Sequence, residues 1–280
     1  MTFKFTTFVL SLISILILNP NKLSSSENID FKLEHKGIMI LGISKSKQKS
    51  SPSKKLPPKL GAQKIKRAID VIFSKSPFNS KWIKHLQSFG KIIIVYNPAF
   101  PRPRLASQII AAFFPDFYQH SGNIKQWSVV IGHYGINWPE EKLAAVIVHE
   151  LVGHGLQHLR GRSFYDRKID RECEALIYEE KAYQDFNTPR DTPTQLRFIK
   201  DMRQKWCSDF NRFLYTNNIN TDQVWGFGRP NIPYLLEHFE KYIKHLRKTG
   251  VAHDAINLTN EKKERDFKQR QTYALERNDI

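Results

Sequence analysis

Three things are scarce in this chain. Of its 280 residues only Cys173 and Cys207 are cysteine, so at most one intramolecular disulfide is available. In an oxidising compartment the two could pair; otherwise they are buried free thiols. Neither lies near the N-terminus, so a lipid-anchored lipoprotein is not expected. Long apolar runs are also scarce: Phe5 to Leu18 is uncharged and apolar but covers 14 residues, short of the roughly 20 that a membrane-spanning helix needs. Preceded by Lys4 and followed by a polar Asn, Lys and Ser stretch, it reads as a secretory signal peptide over residues 1–26. Acids are the third shortage, 27 Asp and Glu against 44 Lys and Arg, for a formal charge of +17. A surface of that sign is drawn to polyanions: nucleic acid, anionic lipid or acidic glycans. Export makes nucleic acid a poor partner and an anionic cell-envelope surface a better one. The mature chain is expected to have no transmembrane span.

What is present suits one globular domain with extensions. Gly37 to Ile43 reads as a short strand, but residues 27–59 as a whole are basic and are expected to be a largely disordered linker. Lys45 to Lys59 contains no acid and little to bury. The domain proper is placed at residues 60–250, and a polar, charged tail at 251–280. Helical stripes appear over Leu60 to Phe73 and around Trp82, Ile83 and Leu86. Lys91 to Tyr96 and Gln126 to Tyr134 read as strands, with a helix expected between them over Leu105 to Phe114. Pro139, followed by Glu140 and Glu141, starts a helix that runs towards Arg160. Further helices are expected over Ile169 to Phe186, Thr194 to Tyr215, and from Pro233. No internal repeat is visible. The fold class is α+β: a mainly helical domain with a small β-sheet beside the motif-bearing helix.

The chemistry is concentrated in Val146 to Arg160, VIVHELVGHGLQHLR. His149 and Glu150 are adjacent, as in zinc peptidases where the histidine binds the metal and the glutamate handles the proton of a water. The usual spacing is H-E-x-x-H, yet His154 follows His149 by five. A helix turns about 100° per residue, so residues five apart point about 140° away from each other. One extra residue taken up as a π-bulge restores the alignment, and Gly153 with Gly155 permits such a departure. A helix bulged between His149 and His154 is therefore predicted. The rival set Glu150, His154 and His158 shares a regular helical face but uses Glu150 as a ligand and leaves no base.

A third ligand is expected from the carboxylate-rich helix that follows. Glu172 and Glu174 point about 200° apart, so only one can face the metal. Glu179, near the face of Glu172, is placed to orient a ligand histidine. HELVGH at residues 149–154 resembles the HExxGH zinc motif of the dipeptidyl peptidase III family. Arg171-Glu172-Cys173-Glu174-Ala175 is similar to that family's second motif, a glutamate pair followed by Cys, Arg and Ala. Glu172-x-x-Ala175 also looks like the ligand helix of glutamate-zincins more widely, and the short span to Glu172 resembles their compact members. The resemblance implies His149, His154 and Glu172 as zinc ligands, Glu150 as the catalytic base, and a zincin-like fold. The chain departs from the larger family in length, in its N-terminal signal, and in carrying Arg171 and Glu174 where that family has Glu and Arg.

The reading that follows is an exported zinc-dependent metallopeptidase, periplasmic, secreted or envelope-associated. It would act on an amide bond of a peptide, protein or peptidoglycan substrate. The Val129 to His133 strand is expected to offer an edge for an extended substrate. His133, Tyr134, Tyr178 and Tyr183 are the candidates for stabilising an oxyanion. The alternative is a non-catalytic, basic envelope-binding protein with a structural or vestigial metal site.

Overall fold

A computed structural model describes residues 29–44, 55–101, 110–115, 125–163, 165–226 and 229–249. The expected signal peptide, the middle of the basic linker and the charged tail lie outside these residues. The protein is α+β and mainly helical, with one mixed five-stranded sheet. By its contacts the chain divides into two compact units, one ending at Gly155 and one starting at Leu156. Among the described residues no helix is long and apolar enough to cross a membrane.

The first unit is built on strands β1 (Ile29–His35), β2 (Ile38–Ile43), β3 (Gly90–Tyr96), β4 (Ala111–Pro115) and β5 (Lys125–Ile131), in the order β1-β2-β3-β5-β4. The three inner strands are parallel to one another and the outer two antiparallel to their neighbours. Inner parallel strands are covered on both faces, which is why β3 reads as an unbroken run of Ile and Val. Leu41, Ile43, Ile93, Val95 and Val130 pack together on one face. On the other side lie helices α1 (Pro58–Lys75) and α2 (Pro77–Gln87). Gly61 of α1 sits so close to the Tyr96 ring that a Cβ there would come within 2.1 Å of it.

Three expectations are corrected here. Within the stretch 27–59, expected to be a largely disordered linker, residues 29–43 carry two strands: β1, and β2 over the segment Gly37 to Ile43 that reads as a strand, with Ile38, Ile40, Leu41 and Ile43 in the core. The helix expected over Leu105 to Phe114 is not found where the chain is described: Ala111–Pro115 is strand β4. Two alanines and two phenylalanines satisfy either periodicity, and pairing with β5 decides between them. Val129 to His133 is not a free edge, since Val129, Val130 and Ile131 are paired with β3 on one side and β4 on the other.

The second unit is helical: α4, whose last residues open it (Gly155–Leu159), α5 (Lys168–Asp185), α6 (Pro193–Asp201), α7 (Ser208–Thr216), α8 (Thr221–Trp225) and α9 (Ile232–Thr249). Leu176, Ile177, Phe210, Leu214, Trp225, Phe239 and Tyr242 form its core. Buried Asp170 accepts hydrogen bonds from Arg167 and from the Tyr242 hydroxyl, tying α5 to α9. The helix expected over Thr194 to Tyr215 is interrupted by a π-helical turn at Met202–Trp206 and a break at Cys207. Cys207 is joined to Cys173 of α5 by a disulfide. The two cysteines are 34 positions apart in sequence, and reduction, or replacement of both by serine, is expected to lower unfolding free energy by about 2–4 kcal/mol in denaturant titrations.

Candidate metal centre

The motif helix begins as α3 (Glu140–Val148), with Pro139 before it and Glu140 and Glu141 in the first turn, where the helix dipole favours acids. Arg67 and Lys75 of α1 pair with those two glutamates. Leu143 to Val148 are all buried, so this helix is anchored along its length before the motif starts.

At His149 the helix changes register. His149–His154 is π-helical, the whole of HELVGH, and α4 resumes the α-helical register at Gly155. The bulge predicted from the five-residue spacing is therefore present. The wider turn brings the two imidazoles together, with ring centroids 5.1 Å apart and planes at 79°. His149 is buried, and Glu150 and His154 are partly exposed. Gly155 is small for a packing reason: a Cβ there would meet Leu86 of α2 at 3.0 Å. Strands β4 and β5 pack against the π-helical turn, and β4 is an outer strand of the sheet.

The ligand atoms of His149, His154 and Glu172 all lie within 4.8 Å of one another. Among the described residues this is the group of histidine and carboxylate side chains that could hold a metal ion. The rival set is not assembled, because His158 is not part of that group. Two imidazole nitrogens and a carboxylate oxygen suit zinc, whose catalytic sites commonly have three protein ligands of this kind. Lys168 and Arg171 lie close enough to Glu172 to interact with its charge.

Glu174 is committed elsewhere. It is 3% exposed and accepts hydrogen bonds from Gln157 at 3.0 Å and Arg162 at 3.0 Å. Arg162 in turn donates to Asp166, so this buried cluster fixes the loop that leads into α5. The 200° divergence of the two glutamates thus separates a residue available to a metal from one holding the loop. Sequence reasoning missed the role of Arg162; its signal was a basic residue between two helices, opposite a glutamate at an otherwise buried position.

The oxyanion candidates separate as well. Tyr178 is buried beside Arg160 and Glu174, and burial raises its hydroxyl's pKa. Tyr183 is buried against Glu179 and the Arg190 guanidinium, and its pKa is raised by burial and by Glu179. Glu179 is thus in contact with Tyr183. His133 Nδ1 donates to the Phe100 carbonyl at 2.9 Å, and burial lowers its pKa. A neutral ring protonated at Nδ1 presents a lone pair at Nε2, so His133 in this state cannot donate to an oxyanion from that nitrogen. Tyr134 lies against it with ring centroids 4.0 Å apart and planes inclined at 40°.

Searches with this chain match no protein-family model, no curated protein and no solved structure.

Proposed function

We propose that the protein is an exported, zinc-dependent metallopeptidase that hydrolyses a peptide or peptidoglycan amide bond. The observation that carries this reading is the π-helical turn, which aligns His149 with His154 and leaves Glu150 beside them on the same turn. A π-bulge disrupts the regular hydrogen-bond ladder, and such bulges tend to mark functional sites. In this reading His149, His154 and Glu172 hold the metal and Glu150 is the base. A zinc ion held there would supply Lewis acidity, towards a substrate carbonyl and towards water. Glu150 takes a proton from the attacking water and returns it to the departing amine. With β5 paired on both sides, an extended substrate is assigned instead to the outer edge of β4, which packs against the histidine-bearing turn. The disulfide supports an oxidising compartment and accords with the N-terminal apolar run.

The test is metal removal. Purified protein is assayed against an unstructured protein substrate and against peptidoglycan stem peptides, before and after chelation. Cleavage is expected to stop with the chelator and return on adding zinc. Cleavage that continues after metal analysis shows the ion gone contradicts the reading.

A further inference from the structure

We propose that the C-terminal end of α2, with the adjoining rim of the sheet, is a docking surface for an anionic lipid bilayer. The proposal is independent of the metal group. No acidic residue occurs between Asp70 and Asp116, and this stretch supplies α2 and β3. Ile83 and Leu86 hold α2 to the core, which leaves Lys81, Lys84 and His85 exposed. The helix end is pinned to the sheet twice: Trp127 of β5 donates to the Leu86 carbonyl at 2.9 Å, and Gln87 donates to the Lys36 carbonyl at 2.8 Å. Lys36 precedes β2, Lys91 lies at the start of β3, and Lys125 starts β5 opposite Gly90. Parallel pairing therefore places these three exposed lysines along one end of the sheet, where Gln87 of α2 meets Lys36. Among the described residues Lys81, Lys84, Lys91 and Lys125 have no ion pair; the acids on the neighbouring hairpin are Asp30, at its far end, and Glu34, and Asp70 of α1 meets its His35.

Within this basic rim lies an aromatic ridge. Trp82 and His85 meet edge to face at 5.7 Å, and His85 and Phe89 at 5.0 Å. Phe89, just beyond the helix, is 50% exposed. An apolar ring ringed by lysines matches the headgroup region of an anionic membrane: the ring enters the interface and the ammonium groups meet phosphates. Rings locked edge to face offer poorer platforms for stacked bases than a nucleic-acid site needs.

The experiment is co-sedimentation of the full chain with phosphatidylcholine vesicles, with and without phosphatidylglycerol, alongside binding to a single-stranded oligonucleotide. Lys84→Glu/Lys91→Glu/Lys125→Glu is compared with a control of equal charge change, Lys200→Glu/Arg212→Glu/Lys248→Glu. All variants keep residues 5–18, so any contribution of that run is common to them. The rim variant is expected to lose at least about tenfold in affinity for the anionic vesicles, and the control much less. Phe89→Ser is expected to weaken vesicle binding several-fold and leave oligonucleotide binding unchanged. Equal losses in the two triple variants, vesicle binding that ignores both, or a Phe89→Ser effect confined to the oligonucleotide would overturn the proposal.

Discussion

Glu150→Gln is expected to lower peptide hydrolysis by roughly 10²- to 10⁴-fold, the usual scale for removing a general base, while the bound metal stays at its wild-type level. Glutamine preserves the shape of the side chain and its place on the π-helical turn, but it cannot accept the proton. Substrate binding does not depend on that proton, so the loss should fall on kcat with KM little changed. His149→Ala differs in kind, because it removes a ligand and should lose metal and activity together. Activity within a few-fold of wild type in Glu150→Gln, with metal retained, would remove Glu150 from the mechanism and leave at most a structural metal site.

The second large effect lies in the buried ion pair of the helical unit. Glu180 is fully buried, and Arg190, 6% exposed, donates to it and to the Gln195 side chain at 2.8 Å. Arg190 also lies over the Tyr183 ring. Burial pushes the Glu180 carboxyl up to about 7, against the opposing pull of Arg190. Arg190→Ala leaves that carboxyl buried without its cation and is expected to cost about 3–5 kcal/mol above neutral pH. The sign of the pH dependence follows from linkage. A carboxyl raised by folding contributes its full stability below its ordinary value of 4.5 and loses it as pH rises towards 7. Removing Arg190 raises the folded value further, so the mutant's deficit should widen as pH climbs through about 7. Denaturant unfolding of both proteins across that range checks it; a deficit that shrinks with rising pH would contradict the assignment. Glu180→Gln/Arg190→Met, which removes both charges, should recover most of the loss.

The parts of this structure that were legible in the sequence are those set by local periodicity. The five-residue spacing of His149 and His154, next to Gly153, requires a departure from α-helical geometry if the two are to meet, and the π-helical turn follows. The stripes of α1, α2, α5 and α9 and the Ile-rich β3 were readable because one buried face, or two, leaves a repeat. What was not readable depends on partners distant in sequence. Gly37 to Ile43 reads as a strand and is β2, but β1 does not stand out from the basic stretch around it and is fixed by its pairing with β2. The short apolar β4 is a strand because β5 lies beside it, and that placement also makes β5 an interior strand. The break at Cys207 interrupts an apolar stripe that continues unchanged through it, where the disulfide joins Cys173. Helical angles established that Glu172 and Glu174 diverge; Arg162 and Gln157 show which of them is engaged elsewhere.

Metal content by mass spectrometry, measured on purified wild type and His154→Ala at equal protein concentration, tests the central claim most directly. Wild type is expected to carry one zinc per chain. In His154→Ala, with the π-helical turn left one imidazole short, the zinc should be lost. Stoichiometric zinc retained in His154→Ala, or wild type that takes up none from zinc-containing buffer, would contradict the His149, His154 and Glu172 site.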